Sequence, residues 1–222
     1  MSSAVIQLLV LAGIAIFLIL RLRSVLGTRE GFEKPPATLP REGEGRARGR
    51  RDFEVIEGGP DQDITEHVAD GSPAAKALAA MKLVEGDFSV REFLQGARGA
   101  YEMILMAFER GDLAPVKPFL SSEVYDTFAE VVADRERQGL KVDASFVGLR
   151  EIEIDDAEFD RDRNDAEITV RFVGELTSAV RNAEGEIVEG STTEIKRQKD
   201  VWTFARIMGS GDPNWQLVAT GG

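Results

Sequence analysis

An α+β domain behind a membrane anchor is the fold that this 222-residue sequence predicts. Three observations carry the prediction. An uncharged apolar run opens the chain. Apolar residues then recur at helical spacing as far as Gly139. From Leu140 onward the period changes to two, interrupted by clusters of turn residues. Helices first, then strands joined by turns, describe helices packed on one face of a curved four-stranded antiparallel sheet.

The opening run, Ala4 to Leu20, contains one polar residue, Gln7, and no charge. As a helix it spans roughly 26 Å, and Leu22, Val25 and Leu26 extend it across a hydrocarbon core of about 30 Å. It lacks the polar stripe of a helix packed in a globular core. It also lacks the basic start and small-residue cleavage site of a secretory signal, and the arginines of a transit peptide. Val5, Leu8, Leu11, Phe17 and Leu20 are the expected membrane-anchoring residues, with Arg21 and Arg23 as the flank. Because the basic flank follows the run, the positive-inside rule places the body of the protein in the cytoplasm and the N-terminus outside. The reading is a single pass through a cell inner membrane, with residues 1–26 as anchor and flank.

Residues 27–71 read as a disordered linker, poor in apolar side chains and rich in Pro, Gly and charge. Phe53, Val55 and Ile56 form an apolar island, read as a weak docking element. Charge is uneven along the chain. Residues 21–51 carry +5 and residues 52–222 carry −17, within an overall −12. The basic segment adjoins the bilayer, where anionic lipid attracts it. The acidic body is repelled from the same surface and from nucleic acid, so no nucleic-acid partner is expected. The only histidine, His67, falls in the linker and reads as solvated and inert. The sequence has no cysteine, which excludes disulfides, thiolate metal sites and cysteine nucleophiles.

The domain proper is expected over residues 72–222. Ser72-Pro73 is a helix cap followed by proline at the first helical position, opening an Ala-rich helix to Val84. Ser89 to Glu92 fits a capping box and opens a longer helix that ends at Gly111. Phe93, Ala97, Ala100, Tyr101, Ile104 and Phe108 give that helix its buried face. Gly96, Gly99 and Ala100 allow a close approach to its backbone, either by a crossing helix or strand or by a ligand. Ser121 or Ser122 caps the next helix, with Val124, Phe128 and Val131 inward and Gly139 as its stop.

In the first strand Phe146, Gly148, Arg150, Ile152 and Ile154 share a face. Asp160 to Asn164 turns the chain. In the second strand Ala166, Ile168, Val170, Phe172, Leu176 and Val180 share a face. After a turn at Asn182–Gly185, a long third strand covers Ile187 to Met208, bent or bulged near Lys196–Asp200. Gly209 to Pro213 leads into a last strand, Trp215 to Ala219. A long sheet curling over helices tends to leave a pocket. Tyr101, Leu105, Phe128, Phe172, Trp202 and Phe204 are its candidate apolar walls, although large aromatic residues more commonly fill cores.

No motif argues for chemistry. The Asp160–Asn164 turn starts like a calcium loop, but Asp165 stands where glycine is required and Arg171 where a bidentate Glu belongs. Gly209-Ser210-Gly211 precedes a strand, not a helix, so it is no phosphate cradle. The serines lack a histidine base and a nucleophile elbow. No carboxylate pair falls on an apolar stripe. No catalytic residue, metal ligand or cofactor is expected.

Three stretches together resemble a known family. Phe93-Leu94, Gly96-Ala97, Ala100-Tyr101, Ile104, Ala107-Phe108 and Gly111-Asp112 resemble the signature helix of the Tim44-like domain family. Asp200 to Phe204, and Pro213-Asn214-Trp215 with Leu217, are similar to its two C-terminal strand motifs. The anchor and basic linker resemble the bacterial, TimA-type members. The resemblance implies a cystatin-like, nuclear-transport-factor-two-like cone with an apolar pocket. It also implies a non-catalytic scaffold that docks protein partners, such as a membrane complex or a chaperone or translocase component, at an inner membrane. This chain lacks the long charged helical N-terminal region of the mitochondrial namesake, which weakens the expectation of chaperone recruitment. Two alternatives accompany this reading. One is a domain that binds a lipid or acyl chain, and the other an isomerase- or dehydratase-like enzyme.

Overall fold

The computed structural model describes residues 61–221. The anchor Ala4–Leu20, its flank, the seven expected anchoring residues and the linker up to residue 60 lie outside them. None of the helices among the described residues is long and apolar enough to cross a membrane.

Helices α1 (Gln62–Thr65), α2 (Pro73–Val84) and α3 (Val90–Arg110) are followed by a 3-10 turn over Ala114–Phe119 and by α4 (Ser122–Arg137). Four strands complete the domain: β1 (Lys141–Asp160), β2 (Asp165–Arg181), β3 (Ile187–Ile207) and β4 (Gln216–Gly221). They form one antiparallel meander in the order β1-β2-β3-β4. The α+β layout expected from the change of period is therefore the observed one.

The helix boundaries follow local chemistry. Ser72, Ser89 and Ser121 each turn a side-chain oxygen to a backbone N–H of the first helical turn, at 3.0, 3.4 and 3.3 Å. Gly111 ends α3 at φ 77°, a left-handed conformation that side-chain-free glycine adopts without strain. Inside α3, Phe93, Ala97, Tyr101 and Ile104 are buried as their spacing requires. In α4 the inward valine is Val132, not Val131, which is 39% exposed. The reason lies in the neighbouring helix. Val132 packs against the Gly111 end of α3, and Arg135 lies over the Phe108 ring and donates to the Phe108 carbonyl at 3.2 Å.

Four departures from the sequence reading have physical causes. In β1, register shifts between Phe146 and Gly148, Leu149 and Glu151, and Ile154 and Asp156 break the alternation. Arg150 is consequently exposed and pairs with Glu175 at 2.9 Å, while the half-buried Leu149 packs against the core. In β2, a shift after Leu176 buries Ala179 in place of Val180. In β3, Ser191 pairs with Ser178 and Lys196 with Leu176, leaving Thr192 to Ile195 outside the ladder. This bulge lies earlier than the expected Lys196–Asp200. The Ser191 side-chain oxygen holds it by accepting from the Thr193 and Glu194 N–H groups.

The fourth departure concerns residues 61–71, which composition assigned to the linker. Ile64 is 3% exposed and belongs to the core. Asp63 accepts hydrogen bonds from the Val90 and Arg91 N–H groups at 2.8 and 3.1 Å, capping α3 together with Ser89. Burial works against the Asp63 charge. Lys82 at 2.7 Å and the two N–H donors outweigh that penalty and hold its carboxyl down at about 2. His67, expected to be solvated, is half-buried, and its Nε2 is enclosed without a hydrogen-bond partner among the described residues.

Candidate functional site

The sheet turns one face to the helices, and the largest aromatic side chains meet there. Tyr101 of α3 stacks on Phe172 of β2, with ring centroids 4.5 Å apart and planes 10° apart. Trp202 of β3 closes on the same tyrosine at 4.8 Å. Phe204 lies edge-on to Phe172. These four residues are at most 4% exposed, and Leu105 is 5% exposed. Phe128 sits apart, half-buried against Phe108 at 4.7 Å. Of the six candidate walls, four thus form one aromatic cluster packed on itself. Phe204 also borders an open groove.

One polar contact reaches the cluster. The Tyr101 hydroxyl donates to Asp200 at 2.6 Å, and Asp200 also accepts from Gln198 at 3.0 Å. Burial, reinforced by the Asp200 carboxylate, pushes the phenol well above its ordinary range. Tyr101 is therefore a hydrogen-bond donor at neutral pH and no base. Gly174 makes room for it, because a side chain there would begin 2.7 Å from the hydroxyl. Nothing in the spacing of β2 marked Gly174 for this role; the signal is a contact across the sheet.

Two open concavities lie along α3. One, of about 330 Å³, has a floor of Phe93, Gly96, Ala100 and Trp215 with Glu92 and Asp87 on its rim. Phe93 and Trp215 meet at 4.8 Å, and the Arg206 guanidinium lies 5.1 Å above the indole. Arg206 pairs with Glu85 at 2.6 Å, and its side chain is only 7% exposed. Its Nε–H is buried without an acceptor among the described residues. A second groove, of about 310 Å³, follows along the same helix between Met103, Met106, Ala107, Arg110 and Val116. Gly96 and Gly99 do not serve the close approach of another element of the domain: no atom lies within 4 Å of where their side chains would begin. No group of metal-binding side chains occurs among the described residues.

The described residues thus combine an aromatic core under a four-stranded meander with grooves along the longest helix. Residues 74–222 match the Tim44-like domain, and the chain belongs to that family. No curated protein matches its sequence. Among solved structures, the crystal structure of the intermembrane-space region of the chloroplast protein ARC6 is similar at 14% identity and a TM-score of 0.38. That match covers 58% of this chain and 94% of the other.

Proposed function

We propose that this protein is a non-catalytic, membrane-anchored adaptor of the TimA type. It holds protein partners at the cytoplasmic face of a cell inner membrane, in the service of protein translocation or membrane-complex assembly. The observation that carries the reading is the pairing of a Tim44-like domain at 74–222 with an uncharged apolar run at Ala4–Leu20. Tethering raises the local concentration of a weak docking site to about the millimolar range.

The packing supports this reading over its rivals. An isomerase or dehydratase needs an acid or base facing substrate inside the cone, and the Tyr101 hydroxyl is instead turned to Asp200 within a cluster of packed rings. An acyl chain needs an open slot, and the aromatic side chains that would line it are packed on one another.

Crosslinking in intact cells followed by capture tests the proposal, with full-length protein compared against a variant lacking Ala4–Leu20. A reproducible partner set that is lost with the anchor is the expected result. An empty set for the full-length chain overturns the adaptor reading. An unchanged set overturns the anchor's part in it.

A further inference from the structure

The outer face of α3 carries a pattern that contacts within the domain explain only in part: Ala100 and Ala107 pack against the core, whereas Gly96 and Gly99 meet nothing. Gly96, Ala100, Met103 and Ala107 follow one another at intervals of four, three and four residues, the spacing of a seam between two helices. The two grooves described above lie end to end along it. Met103 projects from it at 39% exposure, while Gly96 and Gly99 leave open space beside it. Glycine is the poorest helix former after proline, and here two interrupt a helix without receiving anything from the domain. The helix therefore presents both a knob and a hole.

Charge gives the seam a direction. Glu92 borders the first groove and Arg110 the second. Neither has an ion-pair partner among the described residues. Their separation in sequence corresponds to about five helical turns, or about 27 Å, so both lie on one line along the helix. Opposite charges at opposite ends of one line are complementary to the same line reversed.

We infer that α3 pairs antiparallel with α3 of a second copy of this chain, as a two-fold symmetric contact. The register that sets Glu92 against Arg110 of the second copy also sets Met103 against that copy's Gly99, because both pairs are centred on Tyr101. One alignment thus satisfies an ion pair and a knob-and-hole contact, each made twice by symmetry. The contact also covers the groove that holds the unpaired Arg206 Nε–H. The acidic domains repel one another, and a single helix face is small beside a stable interface of roughly 1,200 Å² or more. The pairing is accordingly weak for free domains and depends on the concentrating effect of a shared membrane.

The cysteine-free chain allows a direct test. Full-length Glu92→Cys and Arg110→Cys proteins, differently tagged, are expressed alone and together, and membranes are treated with a short bismaleimide. The expected result is a crosslinked species joining the two variants, with little product from either alone, since like positions lie far apart in an antiparallel pair. Equal products from each alone, or none from the mixture, overturn the pairing. Adding Gly99→Leu to both variants fills the open space and lowers the crosslink by about tenfold or more. The thermal midpoint stays unchanged or rises, because leucine is the better helix former. Undiminished crosslinking with Gly99→Leu overturns the inference. Capture of a different partner protein without this crosslink overturns the pairing and leaves the adaptor reading standing.

Discussion

The sheet has two halves that are built from the same strands but specified by different means. The half over the helices contains Phe172, Trp202 and Phe204, and burial dictates each side chain. The far half, where Leu176–Arg181 pairs with Ile187–Lys196, exposes Ile187, Val188 and Ile195. There the backbone adds a second kind of specification beside the buried Leu176 and Ala179: a bulge at Thr192–Ile195 and a left-handed Gly190. Within the sheet β4 pairs with Val201–Ala205 of β3, so it gives the far half no cover. The lesson is that strand continuity does not imply one kind of constraint. Side chains hold one half, and in the other turn geometry adds to the burial of Leu176 and Ala179.

Substitutions can break or sharpen this contrast. Trp202→Ala empties the aromatic cluster and should cost about 3–5 kcal/mol, read by urea denaturation. A loss close to zero would deny that the near half is held by packing. Gly174→Ala forces a methyl toward the Tyr101 hydroxyl and should cost about 1–3 kcal/mol. Combining it with Tyr101→Phe, which removes that oxygen, should recover part of the loss. In the far half, Gly190→Ala should cost about 1–3 kcal/mol, because it strains a positive φ and drives its side chain onto the Ser178 carbonyl. Ile195→Ser, on the exposed bulge, should stay within about 0.5 kcal/mol of the parent. If the two far-half results were reversed, side chains rather than backbone would specify the arm.

Asp63 gives the comparison a pH axis. Its folded carboxyl lies at about 2, below the ordinary 3.8. The stability it contributes is complete above the ordinary value and is lost as pH falls from there toward 2. Asp63→Asn should therefore narrow its deficit against the parent across that acid window and show a constant deficit at higher pH. A deficit independent of pH throughout would remove the charge from the explanation.

What the sequence made legible was local. Ser72, Ser89 and Ser121 each cap the helix that begins beside them, and Gly111 ends the helix that it follows. Those assignments need only a few consecutive residues. The aromatic cluster was legible as a set of residues but not as a packed one, because stacking depends on which strands come together. The faces of β1 were misread at Arg150, since a bulge reverses the alternation and leaves no mark in composition. Asp63 was hidden for the same reason in stronger form. It caps a helix that begins 27 residues later, and its neighbourhood has the polar composition of a tether.

That last contact has a mechanical meaning. Asp61 and Asp63 grip Lys82, Ile64 sits in the core, and Glu66 pairs with Arg91. Tension arriving through the chain ahead of Asp61 would meet this clasp before it reached any strand. The clasp joins the entering chain to α2 and to the first turn of α3. Its strength, not that of the strands, is what a pull from the N-terminal side tests first.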